Sequence, residues 1–114
     1  MHGRAATSTV GAEGAASLSR ALERNGTLTE LGLRSNGIGA AGAGHLASAL
    51  RRNVVLTSLD LADNRIGLGG AAPLADALRA NGSLRYLDLG MNGVGAGGAG
   101  LLAEGLARNS GSLT

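Results

Sequence analysis

The sequence predicts a right-handed α/β solenoid, with a parallel sheet along its concave side and helices along its convex side. Three observations carry that prediction. Written in rows of 28 residues, the chain falls into register with no insertion from the second row to the fourth, and self-similarity at a fixed period of this length marks a stacked-repeat architecture. Each row then divides in two: a short stretch with strand alternation, followed by a stretch with helical spacing. The composition agrees, because 44% of residues are apolar but only 1% are aromatic, with no Phe and no Trp. A core without large rings must be built as thin layers of Leu, Ile, Val and Ala.

The strand half of each row is fixed by leucines. Leu28, Leu56 and Leu84 align; so do Leu31, Leu59 and Leu87, then Leu33, Leu61 and Leu89. Asn36, Asn64 and Asn92 follow three residues on, and then Ile38, Ile66 and Val94. The row reads Leu-x-x-Leu-x-Leu-x-x-Asn-x-(Ile/Val). In the helical half, Gly14, Leu18 and Leu22 recur as Gly42, Leu46, Leu50, then Gly70, Leu74, Leu78, then Gly98, Leu102, Leu106. Spacing of i, i+4, i+8 draws one stripe on a helix, and its leading glycine lets the helix start lie close to the strand layer. The helices are expected to end at Asn25, Asn53, Asn81 and Asn109, since Asn tolerates the left-handed conformation that closes a helix. Pro73 is expected early in its helix, where a missing N–H matters least.

These motifs resemble the leucine-rich repeats of the ribonuclease-inhibitor type, over roughly residues 10 to 113. That type is shared by the inhibitor itself, by the sensor arrays of NOD-like receptors and by the Ran GTPase-activating protein. The resemblance implies a scaffold that binds another protein through its concave face and performs no chemistry. It implies as alternatives a GTPase-activating module or the sensor segment of a NOD-like receptor. It also implies that Asn36, Asn64 and Asn92 bond backbone groups in the turn between strand and helix.

Residues 1–9 are poorly patterned and residues 10–114 form the array, about three full repeats plus a leading helix. Met1 to Ser8 hold none of the leucines that a preceding strand would carry, while Leu113 and Thr114 look like the start of a further one. Arrays need polar caps, and neither end offers one. The expectation is a fragment of a longer array, or bare edges that pair with another chain in edge-to-edge self-association.

Composition excludes several functions. The formal charge is +2, with ten basic residues, all of them Arg, against eight acids, so there is no dense basic stripe for nucleic acid. Zero Cys removes disulfides and thiolate metal sites and suits an intracellular, cytoplasmic protein. No apolar run approaches the roughly 20 residues needed to span a bilayer, so no membrane partner is expected. The N-terminus lacks the apolar core of a signal peptide.

Few residues suggest chemistry. Gly37-x-Gly39-x-x-Gly42, with Asp60 downstream, has the spacing of a dinucleotide fingerprint. However, Gly93-x-Gly95-x-x-Gly98 repeats it two rows on, as a repeat would and a single cofactor site would not. No cofactor is expected. His2 and His45 have no companion ligand at metal spacing, and nothing marks a nucleophile elbow, so no enzyme is expected. The Arg-rich outer face, Arg20 to Arg108, mostly complements helix dipoles.

The concave face remains. With the leucines inward, alternate strand residues face the other side: Glu30, Ser58 and Tyr86; Gly32, Asp60 and Asp88; Arg34, Ala62 and Gly90. Thr29, Thr57 and Arg85 precede them, and Ser35, Asp63 and Met91 follow. The candidate partner-binding residues are therefore Glu30, Arg34, Ser58, Asp60, Arg85, Tyr86 and Asp88. Tyr86 is the only aromatic residue, of a type enriched at interface hot spots. Asp60 and Asp88 form an acidic lane suited to solvent or to a basic partner. Three strands about 4.8 Å apart and about 17 Å long give a face of roughly 250 Å², against about 800 Å² per partner in a standard interface.

Overall fold

Each row delivers one strand and one helix, beginning with a helix. In the computed structural model, which describes residues 9–108, the order is α1 (Gly11–Arg24), β1 (Glu30–Gly32), α2 (Gly39–Leu50), β2 (Ser58–Asp60), α3 (Gly67–Ala80), β3 (Tyr86–Asp88) and α4 (Gly95–Arg108). The strands make one parallel sheet ordered β1-β2-β3. Its register pairs Leu31 with Leu59 and Leu59 with Leu87, so the 28-residue period of the sequence is the pairing register. Backbone bonds run past the strand ends, from Thr57 N to Thr29 O and from Ser35 N to Ala62 O. The helices stack in sequence order, each packed on the next. Parallel strands joined by crossover helices are the arrangement that buries such leucines.

The core follows the predicted leucine columns, except that Leu106, in the last helical stripe, is 46% exposed. Leu33, Leu46, Leu50, Leu56, Leu59, Leu61, Leu74, Leu78 and Leu84 are all buried, as are Ile38 and Ile66. Leu18, Leu28, Leu87, Leu89 and Leu102 pack against this cluster but are only partly covered.

Helix starts are capped from the neighbouring repeat. Val10, Ile38 and Ile66 stand at the N-caps of α1 to α3 and offer no side-chain oxygen. Instead, the asparagine of the next row serves the helix before it. Asn64 Oδ1 accepts from Ile38 N at 3.2 Å, and Asn64 O accepts from Gly39 N at 2.8 Å. Asn92 does the same for Ile66 and Gly67, and Asn36 for Val10 and Gly11. The orphan donors of a helix start are thus satisfied across the repeat boundary.

Three local expectations are corrected. Asn25 and Asn81 are extended rather than left-handed, with φ −79° and −86°. The second helix ends at Leu50, with Arg51 rather than Asn53 at its C-cap. The asparagine side chains instead order the chain that leads to the strand: Asn25 Oδ1 accepts from Thr27 N and Leu28 N, Asn53 Oδ1 from Val55 N and Leu56 N, and Asn81 Oδ1 from Ser83 N and Leu84 N. This is the local bond that makes Asn a turn former. Asn109 lies outside the described residues. Pro73 is the seventh of the 14 residues of α3, mid-helix rather than early. The glycines that head the helical stripes lie close to the preceding helix, not to the strand layer: a Cβ on Gly42 would stand 3.1 Å from Ala15 Cβ.

The left-handed positions lie after the strands. Gly37 and Gly39 have φ +63° and +70°, and Gly93 and Gly95 have φ +60° and +70°. In the middle row the same bend is made by Arg65, at φ +57°, and Gly67. The spacing that imitates a dinucleotide fingerprint is therefore the repeat's own turn.

Candidate functional site

The face of the sheet opposite the buried leucines collects the candidate residues. Glu30, Arg34, Arg85 and Tyr86 are exposed, and Ser58, Asp60 and Asp88 are half-buried. Register sets their neighbours: Glu30, Ser58 and Tyr86 lie side by side, as do Gly32, Asp60 and Asp88. Arg85 stands just before β3, its backbone N–H bonded to Thr57 O.

Four of the seven residues form one network. Arg34 Nε donates to Asp60 Oδ2 at 3.4 Å, and Arg34 Nη2 donates to Asp88 Oδ2 at 3.3 Å. The Tyr86 hydroxyl donates to the same Asp88 oxygen at 3.4 Å. Each carboxylate is held by its own strand through the other oxygen, Asp60 Oδ1 by Ala62 N at 3.0 Å and Asp88 Oδ1 by Gly90 N at 2.9 Å. The expected acidic lane is therefore bridged by a guanidinium rather than bare. Arg34 reaches across because Gly32, Ala62 and Gly90 raise nothing in its path. The sequence carried that signal, two glycines and an alanine around one arginine, but column-by-column reading pairs residues in register and this pair is diagonal.

Charge on the face marks Tyr86. The negative charge of Asp88 raises its hydroxyl pKa above the usual 10.0, with smaller contributions from desolvation, the bond to Asp88 and the charge of Asp60; the positive charge of Arg34 opposes them. Next to the network, Ser35 Oγ donates to Asp63 Oδ2 at 2.7 Å across the turns that follow β1 and β2. Met91, in the turn after β3, is 73% exposed.

Asn36, Asn64 and Asn92 form a ladder beneath these turns. Asn64 Nδ2 donates to Leu61 O and Ala62 O in its own row and to Leu33 O in the row before, at 2.8 to 3.1 Å. Asn92 repeats this with Leu89 O, Gly90 O and Leu61 O. Among the described residues, Asn36 donates to Arg34 O. The link from row to row was missed by the sequence reading, which placed the bonds within one turn.

Among the described residues, no cluster of three His, Cys, Asp or Glu side chains is gathered as a metal would need. No described helix is long and apolar enough to cross a membrane. His45 is exposed on α2, and His2 lies outside the described residues.

The sequence pattern of the leucine-rich repeat family matches residues 24–47, 52–75 and 80–103. The chain belongs to the leucine-rich repeat family. Among solved structures, these leucine-rich repeats are similar to leiomodin-1 actin-binding site 2 (ABS2), with a TM-score of 0.80 and 26% sequence identity. The match covers 89% of this chain and 59% of that one, so the chain spans less than two thirds of this structural neighbour. No curated protein sequence matches. A leucine-rich repeat array is a stacked-repeat scaffold of the kind that presents an extended binding surface.

Proposed function

We propose that the chain is an interaction module of the ribonuclease-inhibitor-like type that binds a partner protein across the concave, helix-free face of its sheet. The observation that carries this reading is Tyr86: the sole aromatic residue is 52% exposed, and it stands on that face beside the Arg34–Asp60–Asp88 network. An aromatic side chain whose hydroxyl is held by a charged neighbour presents a rigid, amphipathic surface, the kind that anchors interfaces. Glu30, Ser58 and Arg85 flank it. The face offers roughly 250 Å² by strand spacing and length, so the partner must also touch the turns carrying Ser35, Asp63 and Met91 to approach a standard interface.

Actin is the first partner to test, because the neighbour's actin-binding site shares this fold. The chain would be immobilised and offered purified actin and a cell lysate. Capture is expected from the parent and lost from Tyr86→Ala and from Asp88→Arg, with unchanged circular dichroism. Capture undiminished by both variants would sink the concave-face reading. The GTPase-activating and receptor-sensor readings rest on resemblance and draw no support from a particular residue here. We also propose that the module works inside the cell, on the strength of its lack of cysteine; secretion of the native protein in disulfide-forming conditions would overturn that.

A further inference from the structure

Three exposed positions are bulkier than the repeat requires. Arg65 stands where the neighbouring rows carry Gly37 and Gly93, Leu68 where they carry Ala40 and Ala96, and Met91 where they carry Ser35 and Asp63. Leu68 is 54% exposed, Met91 73%, and Arg65 is exposed too, so none of them fills the core. Their exposure does not come from lying at an end of the array. Arg65 and Leu68 have a described row on each side, and so does Asp63, which is exposed in the column of Met91.

Two of the three are also held in a strained backbone. Arg65 has φ +57° and Met91 φ +54°, in the left-handed region where a Cβ crowds the backbone and glycine has none. A long side chain kept at such a place, with its end in solvent, points to a use outside the fold.

Hydrogen bonds gather the three residues. Asn92 O accepts from Gly67 N at 2.9 Å, and Asn92 Oδ1 from Ile66 N at 3.2 Å. Met91, beside Asn92, is thereby set against the turn that carries Arg65 and Leu68. Leu68 reaches over the first turn of α4, its Cδ1 3.7 Å from the place of a Cβ on Gly97. Gly93, Ala96 and Gly97 are exposed and small, so the surface around it is low. No anion among the described residues pairs with Arg65. Asp63, two residues before it, accepts from Ser35 Oγ instead.

We propose that Arg65, Leu68 and Met91 form a docking site for a short acidic segment of a partner protein. The segment sets a carboxylate against Arg65 and an apolar side chain against Leu68 and Met91. The unpaired guanidinium selects the charge, since it binds a carboxylate through paired hydrogen bonds. The two apolar side chains select what stands beside that charge, and both Arg and Met are enriched at interfaces. Tyr86 opens β3 and this site lies past the strand's other end, so it stands whether or not the concave face binds.

Selection from a library of random dodecapeptides, with the chain as bait, tests this. A triple variant serves for counter-selection: Arg65→Gly, Leu68→Ala and Met91→Ser, each exchange taking the residue of a neighbouring row. That variant should match the parent in circular dichroism and melt no lower. The peptides retained should carry Asp or Glu next to a large apolar residue. Their Kd should rise by about tenfold or more on the triple variant and stay unchanged on Tyr86→Ala. Failure to find any peptide that distinguishes parent from triple variant overturns the proposal, and so does enrichment of basic sequences. A lower melting temperature for the triple variant would mean that these side chains serve the fold, and would overturn it too. Peptides lost on Tyr86→Ala would belong to the concave face, which equally removes the case for this site.

Discussion

Leu59 and Leu87 stand at the same position in adjacent strands and pair in register, yet Leu59 is fully buried and Leu87 only partly. Asn64 and Asn36 differ in the same way. Asn64 makes five side-chain hydrogen bonds, two accepted from Asn36 N and Ile38 N and three donated to Leu33 O, Leu61 O and Ala62 O. Among the described residues Asn36 makes two, with Val10 N and Arg34 O. Residue and local turn are the same within each pair. The middle strand has a described strand on each side, so in this architecture burial and hydrogen bonding belong to the junction between repeats as much as to the repeat.

The sharpest way to break that comparison is to delete the asparagines. Asn64→Ala removes the partner of Asn36 N, Ile38 N and Leu33 O, at about 1–3 kcal/mol for each one left buried and unpaired, while Leu61 O keeps Asn92 Nδ2 and Ala62 O keeps Ser35 N. Allowing for relaxation and water entry, the loss is expected at about 3–5 kcal/mol, against about 1–2 for Asn36→Ala. Urea unfolding followed by circular dichroism reads both; equal losses would mean that junctions do not carry the stability. Leucine deletion is next. Leu59→Ala is expected to cost about 3–4 kcal/mol and Leu87→Ala about half that. Leu31, on the other flanking strand, is only 2% exposed, so Leu31→Ala should resemble Leu59→Ala. The two flanks are not equivalent.

Glycine is a smaller test of the same idea. A Cβ on Gly70 would collide with Ile66 and come within 3.0 Å of Ala43 Cβ and 3.3 Å of Ala40 Cα on the preceding helix. One on Gly14 would meet the Val10 side chain alone. Gly70→Ala should cost about 1–3 kcal/mol by overpacking. Gly14→Ala should cost less than about 1, because the helix-propensity gain of alanine offsets most of the clash. A thermal melt of each distinguishes them.

How much was legible follows from what kind of spacing encodes each feature. The elements, the sheet register and most of the core were readable, since Leu59 and Asn64 recur at a fixed interval and periodicity is what a sequence displays best. What escaped reading were diagonal and cross-boundary relations. The Arg34 bridge joins residues out of register, and the helix caps provided by Asn36, Asn64 and Asn92 belong to the neighbouring row. Arg65 shows the limit in another way: it takes the left-handed bend that Gly37 and Gly93 take in their rows, so no glycine motif announces it. The candidate face was legible as a set of columns but not as a network, because side-chain reach is not periodic.

The smallest effect tests whether the flanking strand β3 holds its side chains as the structure places them. Tyr86 is the only tyrosine, so phenolate absorbance during an alkaline titration reports it alone. Its midpoint should lie above 10.0, since the charge of Asp88 disfavours the phenolate. The folded state then holds the phenolic proton more tightly than the unfolded chain does. Its stabilising contribution is present below the unfolded value and disappears as pH rises through the folded one. Asp88→Asn should bring the midpoint down towards 10.0. Arg34→Ala should push it further up, because the guanidinium lowers the value at present, while costing no more than about 1 kcal/mol of stability as an exposed ion pair. An Arg34→Ala midpoint equal to the parent's would mean that the guanidinium does not reach β3. The bridge would then end at Asp60, and order on this face would stop at the middle strand.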